Sequence, residues 1–282
     1  MPSIDTADLH GLPAVRLNGP GGASALVAGH GAHVVSWTPA GGSERIWMSE
    51  RSAFGDGAAI RGGVPVIFPQ FSTYGGGRRH GFARLRAWTP RSRSVEDGEV
   101  RIVYALRDAP QTLAEWPHAF DLALTVTLRE RELLLDLEVR NRGEAAFSFA
   151  AALHTYLAVE HIAGVRLLGL RGMPYRDQTR GGSPGCETAE ALAVAGEIDR
   201  IYAAPGAALE LREPARGLRI AADGFPEVVV WNPGAEKCAA LADMPPRGFE
   251  NMLCVEAALI GSPVALSPGG RWAGRQTLID LA

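Results

Sequence analysis

Short segments in which polar and apolar residues alternate recur along this chain, and glycine, proline or aspartate separates them. Residues 121–128 and 132–139 show this period of two, and the Arg129-Glu130-Arg131 between them suits a hairpin connection. The 34 glycines and 19 prolines are scattered as turn markers and do not form a linker. Helical patterns are weak, with one turn predicted at 111–116 and two at 235–242. Many short strands with frequent turns predict an all-β sandwich or barrel with few short helices.

The composition narrows the range of functions. Large all-β folds reach this length, so we expect residues 1–282 to form a single domain. A net charge of -3 gives no general attraction to nucleic acid, so we expect no such partner. No apolar run approaches the ~20 residues of a membrane span, and the N-terminus lacks the pattern of a secretory signal. We therefore expect a cytoplasmic protein without a membrane partner, and a monomer.

The three cysteines, Cys186, Cys238 and Cys254, have no short paired spacing. An odd count without such spacing argues against a disulfide framework or a zinc knuckle. Cys238 and Cys254 lie in apolar surroundings and are predicted to be small buried hydrophobic residues.

Basic residues are concentrated between positions 60 and 84, which read IRGGVPVIFPQFSTYGGGRRHGFAR. The two prolines exclude a helix, so loops at the end of a sheet are expected to hold the polar groups. Arg61 and Arg84 offer planar forks suited to phosphate or carboxylate, and Arg79 adds a third. His80 is a donor or proton carrier near neutral pH. The alternative is an arginine-rich loop that only faces solvent.

Three further ionisable residues lie in settings that matter for chemistry. His154 interrupts the apolar stretch 147–159, and Glu256 follows the apolar Met-Leu-Cys-Val. A carboxyl group in such a place has a raised pKa unless cations or hydrogen bonds oppose this. Alternatively, His154 is a hydrogen-bonded core histidine, and Glu256 belongs to a structural ion pair. Asp177 lies in a Tyr-x-Asp turn, where aspartate usually bonds its own backbone.

Five motifs follow one another along the chain: Arg-Gly-Gly, His-Gly-Phe-Ala-Arg, Leu-His-Thr-Tyr, Trp-Asn-Pro and Cys-Val-Glu-Ala. In this order the sequence resembles the hexose-6-phosphate mutarotases, a branch of the aldose 1-epimerase superfamily. The resemblance runs from about position 60 to the C-terminus. It implies a large antiparallel galactose mutarotase-like supersandwich. It also implies interconversion of the α and β anomers of a hexose 6-phosphate, with glucose 6-phosphate as the first choice of substrate, and neither a cofactor nor a metal.

The resemblance also implies roles for single residues. It places the general base at Glu256 and the acid that protonates the ring oxygen at His154, and we expect the two on opposite sides of one pocket. It places His80 at the sugar and makes Asp177 a ligand for sugar hydroxyl groups.

Arg61 and Arg84 match the positions that contact phosphate in this branch. Arg79 is a departure, because several relatives carry glutamine there. Two other functions stay open from the sequence: a non-catalytic module that binds a sugar phosphate, and an epimerase of free hexoses. In a further alternative the arginines are structural and pair with acids such as Glu50 or Asp56.

Overall fold

The computed structural model describes residues 1–55, 57–203 and 206–281. Strands dominate it. The first eleven are β1 (Ser3–Leu9), β2 (Leu12–Asn18), β3 (Ser24–Ala28), β4 (His33–Thr38), β5 (Val66–Ile67), β6 (Thr89–Glu96), β7 (Glu99–Arg107), β8 (Phe120–Leu128), β9 (Glu132–Asn141), β10 (Phe147–Leu153) and β11 (Tyr156–Ala158). The others are β12 (Arg166–Leu168), β13 (Pro174–Asp177), β14 (Ser183–Cys186), β15 (Ala191–Leu192), β16 (Ile198–Ala203), β17 (Leu209–Arg212), β18 (Gly217–Asp223), β19 (Glu227–Asn232), β20 (Met252–Leu266) and β21 (Arg271–Asp280).

Helices are short and lie between strands. The α-helices are α1 (Pro110–Glu115) and α2 (Gly234–Ala240), close to the two short helices predicted from the sequence. Single 3-10 turns occupy Pro20–Gly22, Ala83–Leu85, Ile162–Gly164, Gln178–Arg180 and Gly248–Asn251. No helix within the three described ranges is long and apolar enough to cross a membrane.

The strands form three sheets. One has the order β1-β2-β3-β4, and a nine-stranded sheet has the order β15-β12-β17-β18-β21-β9-β8-β7-β6. The third has the order β14-β13-β16-β19-β20-β10-β5, with β11 added beside β20. Neighbouring strands pair antiparallel in all three. The predicted all-β antiparallel class is confirmed, whereas the expectation of a single domain stays a prediction.

Strand β20 separates two hydrophobic clusters. Val255 and Ala257 pack into the large core, which also takes residues from the four-stranded and nine-stranded sheets. Cys254 and Ala258 belong to a smaller cluster on the opposite face, which the loops around Trp47 and Phe71 cover. Because successive strand residues point to opposite faces, Glu256 projects onto this second face. We call it the site face.

Two departures from the predicted strands bear on the site. The apolar residues 147–157 predict one strand, but β10 ends at Leu153 and β11 begins at Tyr156. Between them the Thr155 N–H donates to the Leu153 carbonyl at 3.0 Å, while the His154 N–H donates to the Pro65 carbonyl of the loop 60–84 at 3.1 Å. Strand β16 was not predicted, since its sequence Ile-Asp-Arg-Ile-Tyr-Ala places two charges inside a short apolar run.

Candidate active site

Strand register brings several polar side chains together on the site face. Across the eight-stranded sheet, Tyr156 lies opposite Cys254, Cys254 opposite Trp231, and Trp231 opposite Asp199. Glu256 follows Cys254 by two residues and therefore lies one row further along the same face. Residues far apart in the sequence thus become neighbours in one row across four strands.

Three of these residues, Asp199, Trp231 and Glu256, line a pocket, which we call the site pocket. It is formed by residues of the loop 60–84 and of the site face, namely Arg61, Phe71, Ser72, Tyr74, Arg79, His80, His154, Gln178, Asp199, Val229, Trp231 and Glu256. Of the seven site residues predicted from the sequence, five line this pocket, and Arg84 and Asp177 do not.

His154 and Glu256 are direct neighbours in the site pocket. His154 Nε2 lies 3.4 Å from Glu256 Oε1, and the His154 ring stacks on Tyr156 with a centroid separation of 4.8 Å. The two side chains therefore lie side by side, where opposite walls of the pocket were expected. Both are buried, with Glu256 1% and His154 8% exposed.

Burial shifts the two pKa values in opposite directions. It raises the pKa of Glu256 well above its usual value, and the nearby Asp199 carboxylate adds to this. It lowers the pKa of His154 well below its usual value, and the positive charges of Arg84 and Arg61 act in the same direction. Both shifts favour the neutral form, so burial favours a proton on Glu256 over one on the His154 imidazole.

His80 is held rigidly on the wall of the pocket. Its backbone has a positive φ of 62°, and its Nδ1 accepts a hydrogen bond from the Ser72 N–H at 3.2 Å. Burial, together with the charges of Arg84, Arg79 and Arg61, lowers the pKa of His80 to about 3. A neutral ring that accepts at Nδ1 carries its proton on Nε2. His80 is thus a neutral hydrogen-bond donor at physiological pH.

Arg61 is fixed by the Gly62-Gly63 turn and by two side chains. Its Nε donates to Asp243 at 3.0 Å and its Nη1 donates to the Tyr156 hydroxyl at 2.9 Å. A side chain at Gly63 would clash, because a Cβ there would lie 2.5 Å from the Val34 carbonyl oxygen. The carboxylate that pairs with Arg61 belongs to Asp243. The sequence had suggested Glu50 or Asp56 as partners for a structural arginine, and Asp56 lies outside the described residues.

Arg84 is half-buried on the turn Ala83–Leu85. Its Nη2 lies 3.5 Å from the Arg79 carbonyl oxygen, and its Nε has no hydrogen-bond partner within the described part of the chain. Burial lowers the pKa of Arg84 to about 10, and the charges of Arg61 and Arg79 add to this effect. The guanidinium groups of Arg61, Arg79 and Arg84 thus concentrate positive charge beside the pocket. Of these three, Arg61 is paired with the carboxylate of Asp243.

Asp177, a predicted site residue, lies outside the site pocket, whereas Asp199, which was not predicted, lines it. Asp177 Oδ1 accepts from the Thr179 backbone N–H at 3.0 Å and from its hydroxyl at 2.6 Å, and Oδ2 lies 3.6 Å from Arg200 Nε. This is the turn-bonding alternative, and Asp177 does not line the site pocket. Asp199 does line it, and burial raises the pKa of its carboxyl group to about 6.

Sequence reasoning missed Asp199 because it missed strand β16. A signal was present: Asp199 is two residues from Ile201, which is buried in the cluster of the site face. Gln178 was missed as well. It follows Asp177 in the turn Gln178–Arg180 and reaches the pocket.

Comparison with known proteins gives the family. A family model described as Aldose 1-epimerase matches residues 13–278. The chain belongs to the aldose 1-epimerase family. It is 35% identical over 278 residues to a protein of Cenchrus ciliaris, covering 95% of this chain and 84% of that protein. It is 34% identical over 233 residues to a protein of Escherichia coli K12, covering 81% and 77%. Both relatives carry the name "Putative glucose-6-phosphate 1-epimerase".

Solved structures agree with the predicted supersandwich. A Salmonella typhimurium protein described as a "putative mutarotase" superimposes with a TM-score of 0.91 at 28% identity, covering 98% of this chain and 93% of that one. A galactose mutarotase-like protein from Clostridium acetobutylicum reaches a TM-score of 0.80 at 15% identity, covering 99% and 98%. The predicted family and the galactose mutarotase-like fold are therefore confirmed for this epimerase-family protein.

Another buried histidine supports the turn that carries Arg61. His33 is fully buried, and its Nε2–H donates to the Gly62 carbonyl at 2.8 Å. Burial lowers the pKa of His33 to about 3, whereas an unfolded chain has a histidine pKa of about 6.5. The unfolded state therefore binds the proton more tightly, and stability present above about pH 6.5 is lost as the pH falls toward 3.

We predict that His33→Gln reduces the acid sensitivity of the fold. Between pH 7 and pH 5, one such histidine removes on the order of 2 kcal/mol from the free energy of unfolding, and glutamine has no proton to gain. Denaturant unfolding at both pH values should show a smaller difference for His33→Gln than for the native chain. The exposed His161→Gln is the control and should keep the native difference. An unchanged difference in His33→Gln would show that His33 titrates normally.

Proposed function

We propose that this epimerase-family protein interconverts the α and β anomers of a hexose 6-phosphate, with glucose 6-phosphate as the first substrate to test. The observation that carries the proposal is the buried acid/base pair, His154 and Glu256, in a pocket beside three arginines. The names of the relatives that cover most of the chain support this choice of substrate. The cytoplasmic location and the monomeric state stay predictions.

The reaction needs two proton transfers at adjacent oxygens. A base takes the proton from the C1 hydroxyl while an acid protonates the ring oxygen, and the hemiacetal opens to the aldehyde. After rotation about the C1–C2 bond, the ring closes on its other face. The oxygens of C1 and of the ring are bonded to one carbon, so two catalytic groups side by side can serve both. His154 and Glu256, 3.4 Å apart, have this arrangement.

Bound phosphate would change the protonation of the pair. The proposed roles need an ionised Glu256 and a protonated His154, whereas in the free protein the proton favours Glu256. Positive charge on Arg84 and Arg61 is one cause of the low pKa of His154. A phosphate dianion beside these arginines offsets that charge and raises the pKa of His154. The phosphate thus both anchors the sugar and favours the reactive protonation state.

The sugar would be oriented by groups around this pair. His80 offers a neutral N–H donor, and the half-buried Asp199 carboxyl and the Gln178 amide offer acceptors for hydroxyl groups. Trp231 adds an aromatic face to the pocket, 6.1 Å from the His154 ring between centroids. Asp177 lies behind this layer, so we assign it to the support of the turn.

We predict that His154→Ala and Glu256→Gln each lower kcat by about 10²–10⁴-fold, with a much smaller change in KM, because both groups act mainly in the transition state. The measurement is the rate of anomer exchange with glucose 6-phosphate, corrected for the uncatalysed reaction. Glu250→Gln is the matched control, since Glu250 pairs with Arg247 outside the pocket. Native kcat in a folded Glu256→Gln variant would refute the role of this carboxyl group.

We predict that Arg61→Ala and Arg84→Ala each raise KM for glucose 6-phosphate by roughly tenfold to a hundredfold, since a charged hydrogen bond contributes ~1.5–3 kcal/mol. Residual turnover of free glucose should change little, because it has no phosphate to lose. Arg78→Ala is the control, as Arg78 lies in the same loop but pairs with Glu115. Equal losses toward glucose and glucose 6-phosphate in folded variants would contradict a phosphate site here.

A further inference from the structure

A third reactive group, which the proposed epimerase reaction does not use, lies buried beside two residues of the site pocket. Cys254 lies two residues before Glu256 on β20, so both side chains project onto the site face. One ligand atom each of His154, Cys254 and Glu256 lies within 4.8 Å of the other two. The thiol is fully buried, as expected for a small apolar residue, but it lies against the two ionisable groups.

The cluster has unused capacity to bind a cation. Glu256 Oε2 and His154 Nδ1 are buried and make no hydrogen bond within the described residues. Arg61, one of the two arginines that line the pocket, is already bound to Asp243 and Tyr156. Burial makes ionisation of Glu256 costly, and a divalent cation bound beside the carboxyl group would offset that cost.

The chemistry of the three donors selects the ion. An imidazole nitrogen, a thiolate sulfur and a carboxylate oxygen are ligands of zinc, whereas magnesium and calcium prefer oxygen alone. Zinc bonds of about 2.0–2.3 Å place neighbouring ligand atoms about 3.5 Å apart in a tetrahedron. His154 Nε2 and Glu256 Oε1 already have a separation of 3.4 Å, and the three ligand atoms lie within 4.8 Å of one another, so binding requires them to move closer together. His154 and Glu256 line the site pocket, so the ion would lie at its wall.

We infer that His154, Cys254 and Glu256 form a zinc-binding site whose occupation blocks the site pocket. Zinc binds the thiolate of Cys254, and the thiol proton leaves to solvent. The ion also occupies His154 and Glu256, the two groups that must exchange protons with the sugar. Zinc therefore acts as a reversible inhibitor; this consequence, unlike the binding itself, rests on the proposed function.

The binding test uses the full chain freed of metal with a chelator, in a background of Cys186→Ser and Cys238→Ala that removes the other thiols. Calorimetric titration with zinc chloride should give one site per chain. Adding Cys254→Ala should weaken binding at least about 100-fold, since one of three protein ligands is lost. Cobalt(II) should give a thiolate charge-transfer band that Cys254→Ala abolishes. Glu256→Gln, which keeps the side-chain shape, should weaken zinc binding without abolishing the band.

The zinc site would be overturned if folded proteins with and without Cys254 bound zinc with equal affinity. It would also be overturned if the background protein bound no zinc.

The second test measures activity. Zinc should stop anomer exchange by the background protein, and chelator should restore it. If zinc binds as described but the metal-free protein never accelerates exchange, the proposed function fails and the site stands. If the metal-free protein is active and millimolar zinc leaves it unaffected, the inhibitory site is refuted and the proposed function stands.

Discussion

The burial of one carboxyl group determines most of what this site can do. Glu256 lies in the middle of a sheet, 1% exposed, and alternation along β20 directs it away from the main core. Its ionisable partner is His154, which lies between β10 and β11, and both of these strands pair with β20. Because neither group is solvated, each favours its neutral form. The pair can therefore give a proton to one oxygen and take a proton from another.

The arginines give this pair its dependence on charge. Arg61 is bound to the Tyr156 hydroxyl, and the Tyr156 ring stacks on His154. The positive charges of Arg61 and Arg84 also hold the pKa of His154 down. An anion bound at the arginines would therefore be sensed at His154 through the electric field alone, without movement of the backbone. Phosphate recognition and proton transfer would then be linked within one small pocket.

The sequence predicted the two residues of the proposed catalytic pair but not their geometry. His154 and Glu256 were recognisable because each interrupts an apolar strand. Their separation depends on the register of β10, β11 and β20, which links residues about a hundred positions apart and cannot be read from local patterns. Asp199 was missed because a strand with two charged residues has no clear period of two.

Asp177 has the turn geometry that its local sequence predicts, and its role as a ligand for sugar hydroxyl groups stays a prediction. The hairpin of β8 and β9 was predictable because its connection and its alternation agree. The class of fold followed from many such local signals, whereas the supersandwich was predicted only through the resemblance.

The most direct test of this account is exchange spectroscopy on the anomers of glucose 6-phosphate and of glucose, with metal-free protein and a buffer blank. Exchange between the C1 signals is measured at several protein concentrations. We predict that the protein accelerates anomer exchange of glucose 6-phosphate in proportion to the protein concentration. It should accelerate anomer exchange of glucose much less. Folded protein that leaves the exchange of glucose 6-phosphate at the buffer rate would contradict it.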